Sequence, residues 1–257
     1  MKKTIIAANW KMNLNVHEAS VLLHRLNERI KAHRSIEVIL APGFVALQPL
    51  SVELDHRKFK LAAQNAHYKD EGAYTGEVSF TQLRNLVSYC IIGHSERRIY
   101  FNETLEVVRD KVQAAIRNGI KPILCVGETA HERANNETRR VVHDQVTTAL
   151  ANLTSEEIDQ VVIAYEPVWA ISTFGGQVAK PEDMEVVMKH IRHTISELYG
   201  ATVAEEVGIL YGGSVKAETV GAYLALDNCD GALVGGASLI ADQFAGIIDK
   251  AYQLKHS

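Results

Sequence analysis

The chain has 257 residues and a formal net charge of −4, with 47% hydrophobic and 23% charged residues. This length allows one large α/β domain or two smaller ones, and the hydrophobic fraction is sufficient for a sizeable core. A mildly acidic chain lacks the basic footprint that binds nucleic acid or anionic lipid, so we expect neither partner. A local site can still bind a small anion.

The cysteines and the N-terminal segment indicate in which cellular compartment the protein is expected. The chain has three cysteines, Cys90, Cys125 and Cys229, and their odd number and wide spacing fit neither a disulfide framework nor a zinc site. The N-terminal apolar run is too short for a signal peptide, and no stretch approaches the length of a membrane span. We therefore expect a cytoplasmic protein without a membrane partner.

Eight short apolar runs alternate with helical patterns along the chain. Each run is almost continuously apolar, which is typical of strands that are buried on both faces of a parallel sheet. The predicted strands are TIIAAN (4–9), IEVIL (36–40), FKLAA (59–63), SYCII (88–92), KPILC (121–125), VVIAY (161–165), EVGIL (206–210) and GALVG (231–235).

Amphipathic patterns predict helices between these strands. In 17–33 the apolar residues fall on one helical face, and similar patterns cover 104–118, 131–151, 182–199 and 238–254. Thr154 begins a pattern typical of a short capped turn before strand six. No linker, low-complexity tract or charge block divides the chain, so we predict one domain over 1–257.

Eight strand–helix units in about 250 residues predict a (β/α)8 barrel with eight parallel strands and outer helices. The alternative is a doubly wound open sheet. That fold usually carries a glycine-rich fingerprint in its first βα turn. Here the turn is NWKMN (9–13) and contains no glycine, which favours the barrel.

Glycines follow the last two predicted strands. Gly212 and Gly213 precede Ser214, and Gly235 and Gly236 lead directly into a helical pattern. Glycines let backbone N–H groups approach a phosphate, and a helix N-terminus favours negative charge. The two pairs together predict a phosphate site, whereas either pair alone could simply form a tight turn.

Ionisable side chains follow other strands at the same predicted end of the barrel. Glu166 directly follows strand six. It lies in the segment 165–180, which has a stiff hinge followed by a tip with glycines. Such a segment is typical of a mobile lid, but also of an ordinary surface loop. His94 precedes a predicted helix start, which disfavours an imidazolium. Asn9 and Lys11 are donors after strand one. This set predicts proton abstraction beside the carbonyl of a small phosphorylated sugar, with lid closure desolvating Glu166 and raising its basicity.

Motifs in chain order carry a family resemblance. They are AANWKMN (7–13), AQN (63–65), GAYTGE (72–77), IIGHSERR (91–98), CVGE (125–128), AYEPVWAI (164–171), YGGSV (211–215) and VGGASL (234–239). Through them the chain resembles the triosephosphate isomerase family from Ala8 to about Leu239. The resemblance implies cofactor-free and metal-free interconversion of dihydroxyacetone phosphate and glyceraldehyde 3-phosphate, through an enediolate, in glycolysis and gluconeogenesis.

The resemblance also implies roles for individual residues. Glu166 would be the base, His94 the neutral electrophile, Lys11 the cation near carbonyl and phosphate, and Asn9 a donor on the carbonyl side. Beside them, Glu96 would pair with Lys11, Ser95 would hold Glu166 when the lid is open, and Cys125 would lie next to the site. The implied phosphate contacts are Ser172, Ser214, Gly235 and Gly236, together with Asn9 and Lys11, and the implied lid latch is Tyr211.

The family further implies a homodimer in which the loop 64–78 reaches into the partner's site, with Thr75 at its tip.

One departure from the family pattern lies in the lid, which reads AISTFGGQVAK where the family has AIGTGKTAT or close to it. Ser172 and Phe174 stand at glycine positions, and we expect Gly175 and Gly176 to take over the turn. The alternatives are another sugar-phosphate barrel enzyme, such as an aldolase, or a catalytically weak scaffold protein.

Overall fold

The computed structural model of the chain describes residues 2–171, 173–175 and 177–256. Eight parallel strands pair in sequence order and close into a barrel, because β1 pairs with both β2 and β8. The strands are β1 Thr4–Asn9, β2 Ile36–Ala41, β3 Phe59–Ala63, β4 Tyr89–Ile92, β5 Lys121–Val126, β6 Val162–Tyr165, β7 Gly208–Tyr211 and β8 Gly231–Val234. The predicted (β/α)8 barrel is confirmed.

Helices surround the barrel. In the described residues they are α1 Val16–Arg29, α2 Phe44–Glu53, α3 Phe80–Leu83, α4 Ser95–Tyr100, α5 Leu105–Arg117, α6 Ala130–Ala134, α7 Thr138–Leu150, α8 Ser155–Ile158, α9 Pro181–Tyr199, α10 Ala201–Glu206, α11 Val220–Leu224 and α12 Ala241–His256. The predicted capped turn is α8, where Thr154 accepts from the backbone N–H of Glu157 in a capping box.

Several helices and strands differ from the prediction. The region 131–151 forms two helices, because the chain turns at Asn136 with φ +58°. Strand seven starts at Gly208 rather than 206, since α10 occupies the preceding residues, and it includes Tyr211 rather than ending before it. The pattern also missed α2, whose apolar residues lie all around the helix and which contains Pro49, a residue that argues against a helix interior.

Apolar side chains pack in two layers, as the continuous apolar strands predicted. One set of strand residues points into the barrel, including Ala7, Ile39, Ile123, Ala164 and Leu210. The alternate residues face outwards and pack against the helices in a larger cluster. Because both strand faces are buried, side chains that react with a ligand have room only at the strand ends.

Barrel closure requires one glycine. A Cβ at Gly231, the first residue of β8, would lie 1.9 Å from the backbone oxygen of Ile5 in β1. No other residue allows the two strands to pair at this distance. Among the described residues, no helix is long and apolar enough to span a membrane.

Candidate active site

A cavity of about 630 Å³ opens at the C-terminal ends of the strands. It brings together side chains that lie more than 200 residues apart in sequence. Among its lining residues are Asn9, Lys11, His94, Glu166, Ile171, Gly212, Gly213, Ser214, Gly235 and Gly236. The cavity therefore contains the four predicted catalytic residues and the described glycine and serine residues of the predicted phosphate site.

Glu166 is fixed at the floor of this cavity. Its carboxylate is 1% exposed, and its backbone N–H donates to the oxygen of Val126 over 2.7 Å. One carboxylate oxygen lies 3.1 Å from Nε2 of His94, and the other accepts the backbone N–H of Ser95 over 3.2 Å. Both oxygens thus have partners that stabilise the ionised form.

The surroundings of Glu166 act on its pKa in opposite directions. Burial raises the pKa, whereas His94, the guanidinium of Arg98 and the Ser95 N–H lower it and together outweigh burial. The net pKa is below the ordinary 4.5, so the carboxylate is ionised at neutral pH. Glu166 is almost completely buried in this structure.

His94 caps α4, as the sequence predicted. Its Nδ1 accepts the backbone N–H of Glu96 over 3.3 Å, so this nitrogen carries no proton. The proton of the neutral imidazole therefore lies on Nε2, which faces Glu166. The Glu96 carboxylate is 3.7 Å from Nδ1, beyond hydrogen-bond distance.

Lys11 and Asn9 form the β1 side of the cavity. Lys11 has φ +53°, and its backbone N–H donates to Oδ1 of Asn9 over 3.0 Å. Nε2 of Gln64 donates to the Lys11 carbonyl over 2.8 Å. The Lys11 ammonium pairs with the carboxylate of Glu96, which is the contact that the resemblance implied.

Glycines are sterically required opposite Glu166. A Cβ at Gly212 would lie 2.8 Å from Cγ of Glu166, and one at Gly213 would lie 2.1 Å from the Tyr211 hydroxyl oxygen. At the next strand, Gly236 begins a 3-10 turn, Gly236–Leu239, and α12 starts only at Ala241. The glycines therefore lead directly into a helical segment, as predicted, and its first turn is a 3-10 helix.

The N-terminal hinge of the lid is anchored by Glu128, a residue that our reading of the motifs left without a role. Glu128 is fully buried. Its carboxylate accepts a hydrogen bond of 2.8 Å from Nε1–H of Trp169 and one of 3.0 Å from the hydroxyl of Tyr165. Its carbonyl accepts the N–H of Val168 over 3.1 Å. Burial raises the pKa of Glu128 above its ordinary value, more than these donors lower it. The sequence feature that could have identified Glu128 is its position, a carboxylate two residues after an apolar strand.

Arg133 contacts the N-terminal hinge of the lid and the helix that follows the lid. Its guanidinium lies 4.2 Å from the ring centroid of Trp169, in the hinge, and 3.0 Å from the carboxylate of Asp183, in the first turn of α9. At the C-terminal end, Tyr223 donates its hydroxyl to the carbonyl of buried Ala179 over 2.7 Å. Both hinge ends are therefore fixed by side chains outside the lid.

The described part of the lid tip makes different contacts. Thr173 Oγ1 lies 3.2 Å from the Glu96 carboxylate and 3.4 Å from the Lys11 ammonium. The ring of Phe174 packs on Tyr100 of α4, with centroids 5.7 Å apart. The unusual backbone conformation falls on Gly175 (φ +147°), as expected from the sequence, whereas Gly176 lies outside the described residues.

The remaining predicted residues lie as follows. Ser95 reaches Glu166 through its backbone, and its buried hydroxyl has no partner in the described structure. Cys125 is buried in the barrel, and burial raises the pKa of its thiol. Tyr211 stacks on Tyr223 at 4.0 Å. Thr75 lies in an exposed loop beside a separate cavity, and predicted Ser172 falls outside the described residues.

No group of three or more His, Cys, Asp or Glu side chains in the described ranges could hold a metal ion. The closed parallel barrel, with acid–base side chains and glycine turns at its strand ends, defines a (β/α)8-barrel protein with a candidate proton-transfer site.

Comparison with known proteins specifies the family. A sequence model described as triosephosphate isomerase matches residues 4–251. The triosephosphate isomerase of Alkaliphilus oremlandii is 45% identical over 97% of this chain and the whole of that protein. That of Caldanaerobacter subterraneus is 46% identical over the same shares, and that of Carboxydothermus hydrogenoformans 45% over 96% and 98%. The chain belongs to the triosephosphate isomerase family.

Proposed function

We propose that this chain interconverts dihydroxyacetone phosphate and glyceraldehyde 3-phosphate. The observation that carries the proposal is the contact of 3.1 Å between ionised Glu166 and Nε2 of His94, inside a cavity whose other wall carries the glycine turns. A buried carboxylate base beside a neutral imidazole suits removal of a proton from carbon next to a carbonyl.

The proposed chemistry requires only proton movements. Glu166 removes a proton from the hydroxymethyl carbon of dihydroxyacetone phosphate, and the C–H electron pair forms the carbon–carbon double bond of an enediolate. The carbonyl electrons move to oxygen, which takes the Nε2 proton of His94, and Nε2 in turn takes the proton of the hydroxyl on the first carbon. Glu166 then returns its proton to the neighbouring carbon, and the electrons left on the first oxygen form the new carbonyl. Substrate and product have the same composition, so no oxidant or cofactor takes part.

Lys11 and Asn9 are proposed to stabilise the developing oxyanion and to orient the substrate. The Lys11 ammonium lines the cavity and is kept in place by Glu96, so it needs little reorganisation when negative charge develops. We propose that Gly235, Gly236 and Ser214 bind the phosphate mainly through backbone N–H groups. Tyr211 has a buried hydroxyl without a partner among the described residues, which suits the proposed role as a latch for the lid.

We also propose a homodimer, with Thr75 contributing to the partner's site. The loop that carries Thr75 is attached to its own barrel, because Asp70 accepts three hydrogen bonds from Arg117 and one from Asn118. Large apolar side chains are exposed on loops at the same end of the strands, including Met12, Tyr74 and Phe101. Exposed apolar residues of this size are typical of protein interfaces. A monomeric mass by light scattering at micromolar concentration would refute the dimer.

A direct assay tests the activity. Purified protein receives glyceraldehyde 3-phosphate, and dihydroxyacetone phosphate is measured over time, with heat-denatured protein as the control. We expect rapid equilibration without any added metal or cofactor. No conversion above the control at any substrate concentration would refute the proposal. Such an activity would place the chain in the cytoplasmic pathways of glycolysis and gluconeogenesis.

A further inference from the structure

Lys11 has an unusual backbone conformation for a residue with a proposed role in the reaction. Its φ of +53° lies in the left-handed region, which a lysine seldom adopts. This region is strained for a residue with a Cβ, and the strain persists only where surrounding contacts over-determine the backbone. The contacts that hold the Lys11 backbone therefore decide where its ammonium lies.

Gln64, the first residue after β3, holds this backbone from the carbonyl side. Its Nε2 donates to the carbonyl of Lys11 over 2.8 Å and to the carbonyl of Ala41 over 2.8 Å. A primary amide has two N–H donors, so both donors of Gln64 are used. Ala41 ends β2 and pairs in register with Asn9, the last residue of β1. One side chain thus attaches the segment beyond β1 to the end of β2.

The peptide groups on both sides of Lys11 are held. Its N–H donates to Oδ1 of Asn9 over 3.0 Å, and its carbonyl accepts from Gln64. These two hydrogen bonds fix the direction in which the side chain leaves the backbone. At the other end of that side chain, the ammonium pairs with Glu96, and Lys11 lines the cavity. Gln64 is not among the described residues that line the cavity, so it acts on a bound substrate through Lys11.

We propose that Gln64 is a positioning residue that fixes the Lys11 ammonium for the reaction. The inference rests on the proposed function, because it concerns the cation of that same site. Without the Gln64 amide, the left-handed backbone of Lys11 loses a contact that maintains it, and the ammonium is no longer held in one place. Stabilisation of an oxyanion depends on a preorganised charge, so the rate should fall while the protein stays folded.

The test compares Gln64→Met with a matched control, Gln113→Met. Methionine has nearly the length of glutamine but no N–H donor. Gln113 of α5 also donates its Nε2 to a backbone carbonyl, that of Ala151 just after α7, over 3.0 Å. We expect kcat/KM to fall about five- to 50-fold in Gln64→Met, less than the roughly 100-fold that a 1 Å misplacement can cost, and to stay within about twofold in Gln113→Met.

A double-mutant cycle shows whether Gln64 acts through the Lys11 side chain. Gln64→Met is combined with Lys11→Met, and kcat/KM is measured at micromolar protein so that large losses stay measurable. We expect the substitution at Gln64 to change kcat/KM less than about twofold once the ammonium has been removed. A general loosening of the structure would instead lower kcat/KM equally in both backgrounds.

Further measurements separate positioning from unfolding and from altered assembly, since Gln64 begins the loop 64–78. Gln64→Ala leaves space for water at the lost amide and takes the place of Gln64→Met if methionine prevents folding. Urea unfolding and light scattering are applied to every variant. We expect Gln64→Met and Gln113→Met to lose similar amounts of stability, because each loses side-chain hydrogen bonds to backbone carbonyls, and we expect all variants to keep the mass of the unmodified chain.

An unchanged kcat/KM in the folded Gln64 variant, a loss no larger than that in Gln113→Met, or an equal loss with and without the Lys11 side chain would overturn the inference. A loss confined to variants of altered mass would overturn it too. In each of these cases the unmodified chain still isomerises. Absence of isomerisation by the unmodified chain would instead refute the proposed function, so the two failures are distinguishable.

Discussion

The two halves of the lid differ in how they are attached to the barrel. The hinge half, from Glu166 to Trp169, is buried, and Glu128 accepts hydrogen bonds from its indole and from the preceding Tyr165. The described tip residues, Thr173 to Gly175, are mostly exposed. The hydroxyl of Thr173 contacts the Lys11–Glu96 ion pair, and the ring of Phe174 packs on Tyr100. Buried, satisfied contacts resist local opening, whereas exposed ones contribute little.

The two halves also differ in their place relative to the cavity. The base belongs to the buried half, and its carboxylate lies 3.1 Å from Nε2 of His94. Phe174 contacts Tyr100 of α4, and neither of the two residues lines the cavity. Substitutions in the hinge half should therefore change turnover or stability.

The largest effect is expected in the hinge half at Glu166. Glu166→Gln keeps the size of the side chain but removes the base, and we expect kcat to fall by about 10²- to 10⁴-fold. The dissociation constant of glycerol 3-phosphate should change little, since the glycine turns are intact. Steady-state kinetics and titration calorimetry measure the two quantities. A Glu166→Gln variant with nearly full turnover would show that the base lies elsewhere.

Gly213→Ala tests the packing below the hinge. The new Cβ would lie 2.1 Å from the Tyr211 hydroxyl, and Tyr211 stacks on Tyr223, which fixes Ala179. We expect a loss of about 1 to 3 kcal/mol in the free energy of unfolding, the usual cost of overpacking. Gly236→Ala is the matched control, because its Cβ would have no neighbour within 4 Å. Equal stability of the two variants by urea unfolding would contradict this account.

Glu128 and Glu166 should respond oppositely to pH. The pKa of Glu128 is raised in the folded protein, so its protonated form contributes stability that is full below pH 4.5 and lost as pH rises through the folded pKa. The unmodified chain should therefore lose stability relative to Glu128→Gln as pH rises above 4.5. Glu166 has a lowered pKa and should show the reverse, with its contribution lost as pH falls below 4.5. Urea unfolding of the unmodified chain, Glu128→Gln and Glu166→Gln from about pH 3 to about pH 8 measures both differences. A pH-independent difference for Glu128→Gln would contradict the assignment.

The smallest effect is expected at Arg133, which joins the N-terminal hinge to the helix that follows the lid. Arg133→Gln removes the cation over Trp169 and the ion pair with Asp183, and we expect kcat/KM to fall about two- to fivefold. Arg140→Gln is the control, since Arg140 is exposed on α7 and pairs with Glu137 and Asp144 rather than with a lid residue. Equal kinetics in the two variants would show that Arg133 does not affect the lid.

The sequence predicted the barrel because its eight strands are continuously apolar, and this pattern depends on burial alone. It also brought Glu166, His94, Lys11 and Asn9 to one end, since the C-terminal ends of parallel strands meet there. Glu128 and Arg133 were missed as hinge contacts because their partners lie on other strands and helices, and no local spacing encodes such a contact. The position of the lid tip could not be predicted from the sequence either, because the Phe174–Tyr100 contact depends on the path of the lid backbone.

Isotope exchange tests the central claim, that the buried hinge carboxylate transfers a proton between two carbons. The unmodified chain converts glyceraldehyde 3-phosphate in D₂O, and the position of deuterium in the dihydroxyacetone phosphate is read by NMR. We expect carbon-bound deuterium in the product, because the proton on Glu166 exchanges with solvent before it returns to carbon, and we expect Glu166→Gln to lose both conversion and label. Full conversion by Glu166→Gln, with or without carbon-bound deuterium, would contradict the account, because the Glu166 carboxylate would then not be the group that carries the proton.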